Sequence, residues 1–455
     1  MSIRPLNILL LTIDCWRADH LGPAHGNPSP TPHIDRLAAG SLVFRQAITC
    51  GGWTRPSLTA LFSSTHASMF GGPLGRYATE RPMLSELLRQ NGYRTAGFTT
   101  NPQVGRLFGF ERGFDTFVEC EPDGAYPGPR WVKFKGAQRV LCQPSTHRLF
   151  QVFNANSLPP EVTTPAGQLV DQVIEWLDQP RSQPAFMWAH FMDAHWPYHV
   201  LRRSFTPRQK AQIWRDLQIV HRITGEHGYL NPGAEQVARL KALYWEALSY
   251  VDLHISRLLH FLETSGFLDH TALIVTSDHG EEFYEHGRWS HYQLFDESLQ
   301  VPLILRIPGI NSQQEILRQV SLLDVAPTVL DLAGAPRANA MLGHSLLRLL
   351  DPSAAPDEHV FAESMWPDAY RMAIRSEDYK YIYDNQYPDA VQLYDLQADP
   401  RERHNIYLQH TPVARRYDEI RRCQAEQAQA TAGTTTETPE VDSSVAERLR
   451  ALGYL

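Results

Sequence analysis

An α/β fold is predicted for this 455-residue chain: a mostly parallel sheet sandwiched by helices, with a smaller antiparallel subdomain towards the C-terminus. Three observations predict it. Short, almost wholly apolar runs recur at Asn7–Ile13, Ala185–Phe191, Ala272–Thr276 and Val301–Ile307, as expected of strands buried on both faces. They alternate with stretches of helical periodicity, which favours parallel strands covered by crossover helices. Two of the runs end abruptly in a carboxylate, Asp14 and Asp278, at the strand ends where such sheets collect their ligands.

Taken in order, Asn7–Ile13 is a strand closed by Asp14. Thr31 opens a helix with Pro32 at its first position. Pro56 fits a first helical turn and Ser57 onward reads as helix, so Thr54 is expected just before a helix N-terminus. Leu84–Gln90 is helical, Gly92 stops it, and Tyr93–Thr100 is strand-like. Val170–Leu177 is an amphipathic helix, and a long helical periodicity over residues 234–265 ends at Gly266. Val320–Leu332 reads as a helix closed by Gly334. Residues 120–165 and 199–231 are rich in Pro, Arg, His and aromatics without periodicity; they are either insertions that shape a pocket or plain surface loops. From 366 onward the pattern changes to short antiparallel-type strands at Arg371–Ile374, Tyr379–Tyr383 and Val391–Tyr394. The expected division is therefore a catalytic domain at 1–365, a small α+β subdomain at 366–424 and a flexible tail at 425–455. The tail ends in a short helix that docks through Leu449, Leu452 and Leu455.

Bulk properties narrow the function. A net charge of −8 argues against nucleic acid as a partner, but leaves room for a small anion held by local positive charge. Five widely spaced cysteines with no CxxC pair argue against a disulfide framework or a thiolate zinc site. The first apolar run is too short for a signal segment or a membrane span, and no other stretch is long enough to cross a bilayer. The expectation is a cytoplasmic protein with no membrane partner; a homo-oligomer is compatible with the sequence.

Chemistry concentrates in three places. Adjacent Asp278 and His279 at a strand end can converge on one cation, and their oxygen-plus-imidazole donor set suits zinc or manganese. Alternatively they form a capped turn. Asp14 ends a hydrophobic strand and is costly to bury unless paired or coordinated. Thr54 is either a plain N-cap or a nucleophile whose alkoxide gains from free N–H groups and the helix dipole.

In this order the segments resemble the sulfatase branch of the alkaline phosphatase superfamily. Asn7–Asp14 is similar to the first metal strand, and Thr31-Pro-His-Ile-Asp-Arg-Leu to the helix that follows it. Thr54-Arg-Pro-Ser57 resembles the nucleophile motif, Phe191–Tyr198 the central His-x-Pro segment, and Asp278-His279-Gly280 the second metal pair. Leu393-Tyr-Asp-Leu-Gln-Ala-Asp-Pro400 is similar to the C-terminal signature. The resemblance implies one divalent metal (Zn, Mn or Ca) on Asp14, Thr54, Asp278 and His279, with Thr54 as nucleophile. His195 and His291 would bind the anion or protonate the leaving group. Two further candidates for substrate contact are Arg55, beside Thr54, and Asn101, which either donates to a substrate oxygen or is a turn residue.

The departures redirect the chemistry. The nucleophile position holds Thr54 where the family matures Cys or Ser to formylglycine, so no formylglycine is expected. The Arg four positions later is Leu58, the second acid after Asp14 is Cys15, and the Lys-x-His motif is replaced around Asn101. Cys142-Gln-Pro-Ser145 mimics part of the formylglycine motif but lacks the Arg and the following apolar helix. A Thr ester cannot eliminate through a second hydroxyl, which favours phosphoryl over sulfuryl chemistry. The expected activity is metal-dependent hydrolysis of a small anionic sulfuric or phosphoric ester (monoester, diester or phosphonate). The alternatives are a phosphoryl or phosphoethanolamine-type transferase and a non-catalytic binding protein of the same fold.

Overall fold

The computed structural model describes residues 5–23, 28–120, 165–196 and 232–431, apart from 292, 311–313, 352, 356 and 367–368, plus the single positions 198, 206, 212, 215, 216, 439, 445, 446 and 449. Most of the two aperiodic stretches, the Cys142 motif, and Leu452 and Leu455 of the expected terminal helix lie outside the described residues.

Ten of the described strands precede the C-terminal sheet. They are β1 (Asn7–Ile13), β2 (Leu42–Ile48), β3 (Arg94–Thr99), β4 (Thr116–Glu119), β5 (Ala185–Phe191), β6 (Thr271–Thr276), β7 (Glu282–Phe283), β8 (Trp289–Ser290), β9 (Gln300–Arg306) and β10 (Gln314–Ser321). Eight of these form one sheet in the order β10-β2-β9-β6-β1-β5-β3-β4, and β7 pairs with β8 alone. Every pairing in the large sheet is parallel except those of β9, which runs against both β2 and β6. β1 sits near the centre, with β5 on one side and β6 on the other.

Strand period divides β1 between two cores. Leu9, Leu11 and Ile13 pack into a cluster with helices Ala166–Leu177 and Ala234–Thr264. Ile8 and Leu10 pack on the opposite face with helices Thr54–Ser63, Leu84–Gln90 and Val325–Ala333. A strand buried on both faces has no need for polar alternation, which is why the apolar runs read so clearly.

Two readings of the sequence are corrected. Thr54 lies inside its helix as the first residue, and the extended Trp53 is the N-cap. The helix read over Val320–Leu332 is interrupted: Val320 and Ser321 complete β10, a 3-10 turn covers Leu322–Asp324, and the helix runs Val325–Ala333. A capping box makes this break. Ser321 Oγ accepts from Leu323 N at 3.1 Å, and Asp324 Oδ2 accepts from Ser321 N at 3.2 Å. The run at Val301–Ile307 is a strand, but β9 is the antiparallel member of the large sheet.

The second sheet is antiparallel, β11 (Val360–Trp366), β12 (Ala369–Arg375), β13 (Tyr379–Asp384) and β14 (Gln392–Asp395) in sequence order. Helix Thr411–Ala430 covers it, with Ala414 and Tyr417 against Met372, Ile374, Tyr381 and Leu393. Buried charges tie this sheet to the main body. Asp296 receives Arg375 at 3.1 Å and Lys380 at 2.8 Å, and Lys380 also reaches Glu402 at 2.8 Å.

Candidate active site

The register of the central strands assembles the site. Thr12 of β1 faces Thr276 of β6, so the next residues but one, Asp14 and Asp278, leave the sheet side by side. On the other flank Thr12 faces His190 of β5, and His190 faces Thr99 of β3, which leads to Asn101. Helix Thr54–Ser63 points its N-terminus at the same place. Gly51 permits this approach, because a Cβ there would lie 2.6 Å from Ser57 N. Ser57 Oγ ties the turn by donating to Gly51 O at 2.8 Å and Trp53 O at 2.9 Å.

Thr54 Oγ1 is the focus. It lies 3.3 Å from His279 Nε2, 3.4 Å from Asn101 Nδ2 and 3.5 Å from Asp14 Oδ2. Asp14 Oδ2 also accepts from Asn101 Nδ2 at 3.1 Å and lies 3.2 Å from His190 Nε2. Asp14 Oδ1 faces the other way, 3.1 Å from the Cys15 thiol and 3.6 Å from His279 Nε2. Asp278 Oδ2 is 3.4 Å from His279 Nε2. Beyond them the His279 and His291 rings are 4.3 Å apart, and those of His291 and His195 are 5.1 Å apart. All of these side chains are buried.

Electrostatics push the two carboxyls of the cluster in opposite directions. Burial opposes ionisation of Asp14, but the charge of His195 and the His190 hydrogen bond outweigh it and hold the carboxyl well below its usual range. Burial and the neighbouring Asp14 charge push Asp278 well above its usual range, against the Thr54 hydroxyl and its own backbone contacts. Burial and the facing His291 lower His279 to about 3, and burial with His195 lowers His291 to about 3. Glu281 is raised to about 7, chiefly by burial.

The donor set fits a divalent cation. Asp278 Oδ2 is buried with no hydrogen-bond partner, beside a second carboxylate and a neutral imidazole. Asp14, His190 and Asp278 can each offer an atom within 4.8 Å of the others, as can Asp14, Cys15 and His279. Two carboxylates, an imidazole and a hydroxyl are ligands for zinc, manganese or a harder cation.

The structure brings together Asp14, Thr54, Asn101, Asp278 and His279, with His195 and His291 alongside. Arg55 is placed differently from the expectation. Its guanidinium donates to Gln103 Oε1 and to Leu74 O at 2.7 Å, and stacks 3.7 Å from the Phe108 ring centroid. It therefore supports Gln103, whose backbone N–H donates to Asn101 Oδ1 at 2.8 Å. Leu58 is fully buried in an apolar core.

Three residues escaped the sequence reading. His190 braces Asp14 while its Nδ1 sits 2.8 Å from Thr12 Oγ1, which in turn accepts from Trp188 Nε1 at 3.0 Å. A polar pair, Thr12 and His190, near the ends of two otherwise apolar strands was the available signal. Glu281, 3.2 Å from His291 Nδ1, had its position after Asp278-His279-Gly280 as a cue. Cys15 had as a cue its place where the family has a second acid after Asp14, and it enters the cluster through a left-handed backbone, φ 61°.

Fold and site together define an ester hydrolase of alkaline-phosphatase-like architecture. The Sulfatase family pattern matches residues 6–335, and that of the N-sulphoglucosamine sulphohydrolase C-terminal region matches 284–427. The chain belongs to the sulfatase family. It is 28% identical over 439 residues to the choline-sulfatase of Rhizobium meliloti (strain 1021), covering 88% of this chain and 82% of that protein. With the arylsulfatase K of Gallus gallus it shares 32% identity over 204 residues, 41% of this chain and only 37% of the relative. The phosphonate monoester hydrolase of Agrobacterium radiobacter has a similar fold, with a TM-score of 0.68 at 22% identity over 93% of this chain and 96% of that one.

Proposed function

We propose that the chain hydrolyses small phosphate, phosphonate or sulfate esters with unmodified Thr54 as nucleophile and a divalent cation on Asp14, Thr54, Asp278 and His279. The observation that carries this reading is the convergence of Asp14, Asn101 and His279 on Thr54 Oγ1 within 3.5 Å. When bound, the cation would supply Lewis-acid stabilisation and make the Thr54 hydroxyl a better nucleophile. Thr54 Oγ1, its proton released to solvent as the hydroxyl ionises, attacks phosphorus or sulfur in line, forming a Thr ester as the bond to the leaving oxygen breaks. His195 and His291 stand on the far side of His279, where they hold the anion or return a proton to the leaving oxygen. Asn101 Nδ2 donates towards Thr54 Oγ1 and keeps it directed at the substrate. Water then cleaves the Thr ester.

Phosphorus is the favoured centre, because an unmodified Thr offers no second hydroxyl to expel sulfate. The sulfate ester in the name of the choline-sulfatase and the phosphonate in that of the structural neighbour mark the substrate range to be screened. Four described cysteines, Cys15, Cys50, Cys120 and Cys423, are free thiols, in keeping with the proposed cytoplasmic location. Among the described residues no helix is long and apolar enough to cross a membrane. The test is Thr54→Ala and Asp278→Ala assayed with added metal against aryl sulfates, phosphate monoesters and diesters, and phosphonates. Loss of turnover in both is expected, and full activity in both overturns the proposal.

A further inference from the structure

Beside the Thr54 cluster lies a second group of donors that the proposed single cation does not use. Cys15, His195 and His291 are all buried, and each offers one ligand atom within 4.8 Å of the other two. Cys15 Sγ stands 3.7 Å from His291 Nδ1. Two ligands of a tetrahedral zinc, at about 2.3 Å for sulfur and about 2.0 Å for nitrogen, are separated by roughly 3.5 Å, so little rearrangement is needed. Glu281 Oε2 and Ser290 Oγ each lie 3.2 Å from that same Nδ1, so they give up this nitrogen when the cation binds.

The Asp14 carboxylate separates the two groups. Its Oδ2 faces Thr54, Asn101 and His190, while its Oδ1 faces Cys15 and His279. The backbone also delivers the ligands at some cost. Cys15 at φ 61° and Ser290, just before His291, at φ 85° both occupy left-handed conformations that side chains other than glycine rarely adopt. Tyr244 Oη holds the Cys15 turn by donating to Cys15 O at 2.8 Å.

We propose that Cys15, His195 and His291 bind a second, thiolate-preferring divalent cation, zinc in the first instance, with Asp14 between it and the cation at Thr54. This rests on the single-cation reading above and extends it to a two-cation site. On binding, the Cys15 S–H bond breaks, a sulfur–metal bond forms and the proton leaves to solvent. A thiolate and two imidazoles select zinc over calcium or magnesium. With this cation bound, the anion-holding role given above to His195 and His291 would pass to the metal they hold, which suits a substrate carrying two anionic oxygens.

Metal stoichiometry decides it. The full chain is stripped with a chelator, reloaded with excess zinc, desalted and analysed by mass spectrometry. Two zinc ions per chain are expected in the wild type, and one in Cys15→Ser, in His291→Ala and in Asp278→Ala. Reloading with cobalt should give a thiolate-to-cobalt charge-transfer band in wild type and Asp278→Ala, absent from Cys15→Ser. One metal per chain without the band overturns the second site but leaves the Thr54 cation standing. One metal per chain with the band places Cys15 on the first cation and also overturns it. Should the variants fail to fold, the wild-type stoichiometry and band still decide.

Discussion

His190 Nε2 lies 3.2 Å from Asp14 Oδ2 in a fully buried pair, and the other nitrogen of the same ring is 2.8 Å from Thr12 Oγ1. The imidazole is held at both ends, so it fixes the orientation of the carboxylate. Replacing His190 with Ala removes that brace. The expected outcome is cation affinity weakened by about 10- to 100-fold, measured by competition with a chromophoric chelator. Unchanged affinity would mean that Asp14 is oriented by Asn101 alone.

Thr54 should behave as a nucleophile and not as a cap. Its helix already has an extended N-cap residue, Trp53, and begins at Thr54 itself. Thr54→Ser keeps a hydroxyl and should retain measurable turnover. Thr54→Ala should lose roughly 10³-fold or more in kcat while the thermal unfolding midpoint shifts little. Equal activity in the two variants would exclude covalent catalysis at this position.

Stability should depend on pH through Glu282. Burial raises its carboxyl to about 8, from an ordinary value near 4.5. The group is protonated in the folded chain at neutral pH, so its contribution is complete below pH 4.5 and is lost as pH rises towards 8. The isosteric Glu282→Gln variant should flatten that decline. Denaturant melts of both proteins between pH 5 and pH 8 check this, with a difference on the order of a few kcal/mol expected at the upper end.

The joint between the two sheets should be sensitive to charge removal. Asp296 pairs with both Arg375 and Lys380, and the Lys380 side chain is fully buried. Asp296→Ala leaves two buried cations with one fewer counter-charge, which costs about 3–5 kcal/mol. Replacing Asp296 with Asn keeps the volume and should recover only part of that loss. Chemical denaturation resolves the series.

Much of this was legible in the chain itself, for physical reasons. Asp14 and Asp278 stand out because each follows a mostly apolar, buried run, where a carboxylate is costly unless paired or coordinated. β2 was overlooked because Arg45 and Gln46 interrupt its apolar pattern on the exposed side. Arg55 was assigned to substrate from its place beside Thr54, yet its partner Gln103 is 48 positions away and only the fold discloses it. The direction of β9 is likewise set by partners, since a buried strand carries the same apolar pattern whichever way it runs. The left-handed turn at Cys15 is hard to read locally, because its carbonyl accepts a hydrogen bond from Tyr244, 229 positions later.

The position of β1 has a consequence for how the molecule is made. The earliest of the described strands is central in the finished sheet, and its neighbours span 185–191 and 271–276. The edge of Asn7–Ile13 that pairs with β5 stays open until residues 185–191 have been synthesised, and the edge that pairs with β6 until residues 271–276. Such a segment closes only through contacts distant in sequence, which are slow to form and prone to mispairing. Slow refolding from denaturant and a dependence on folding helpers during synthesis follow, whereas the completed sheet shields the same strand from both sides.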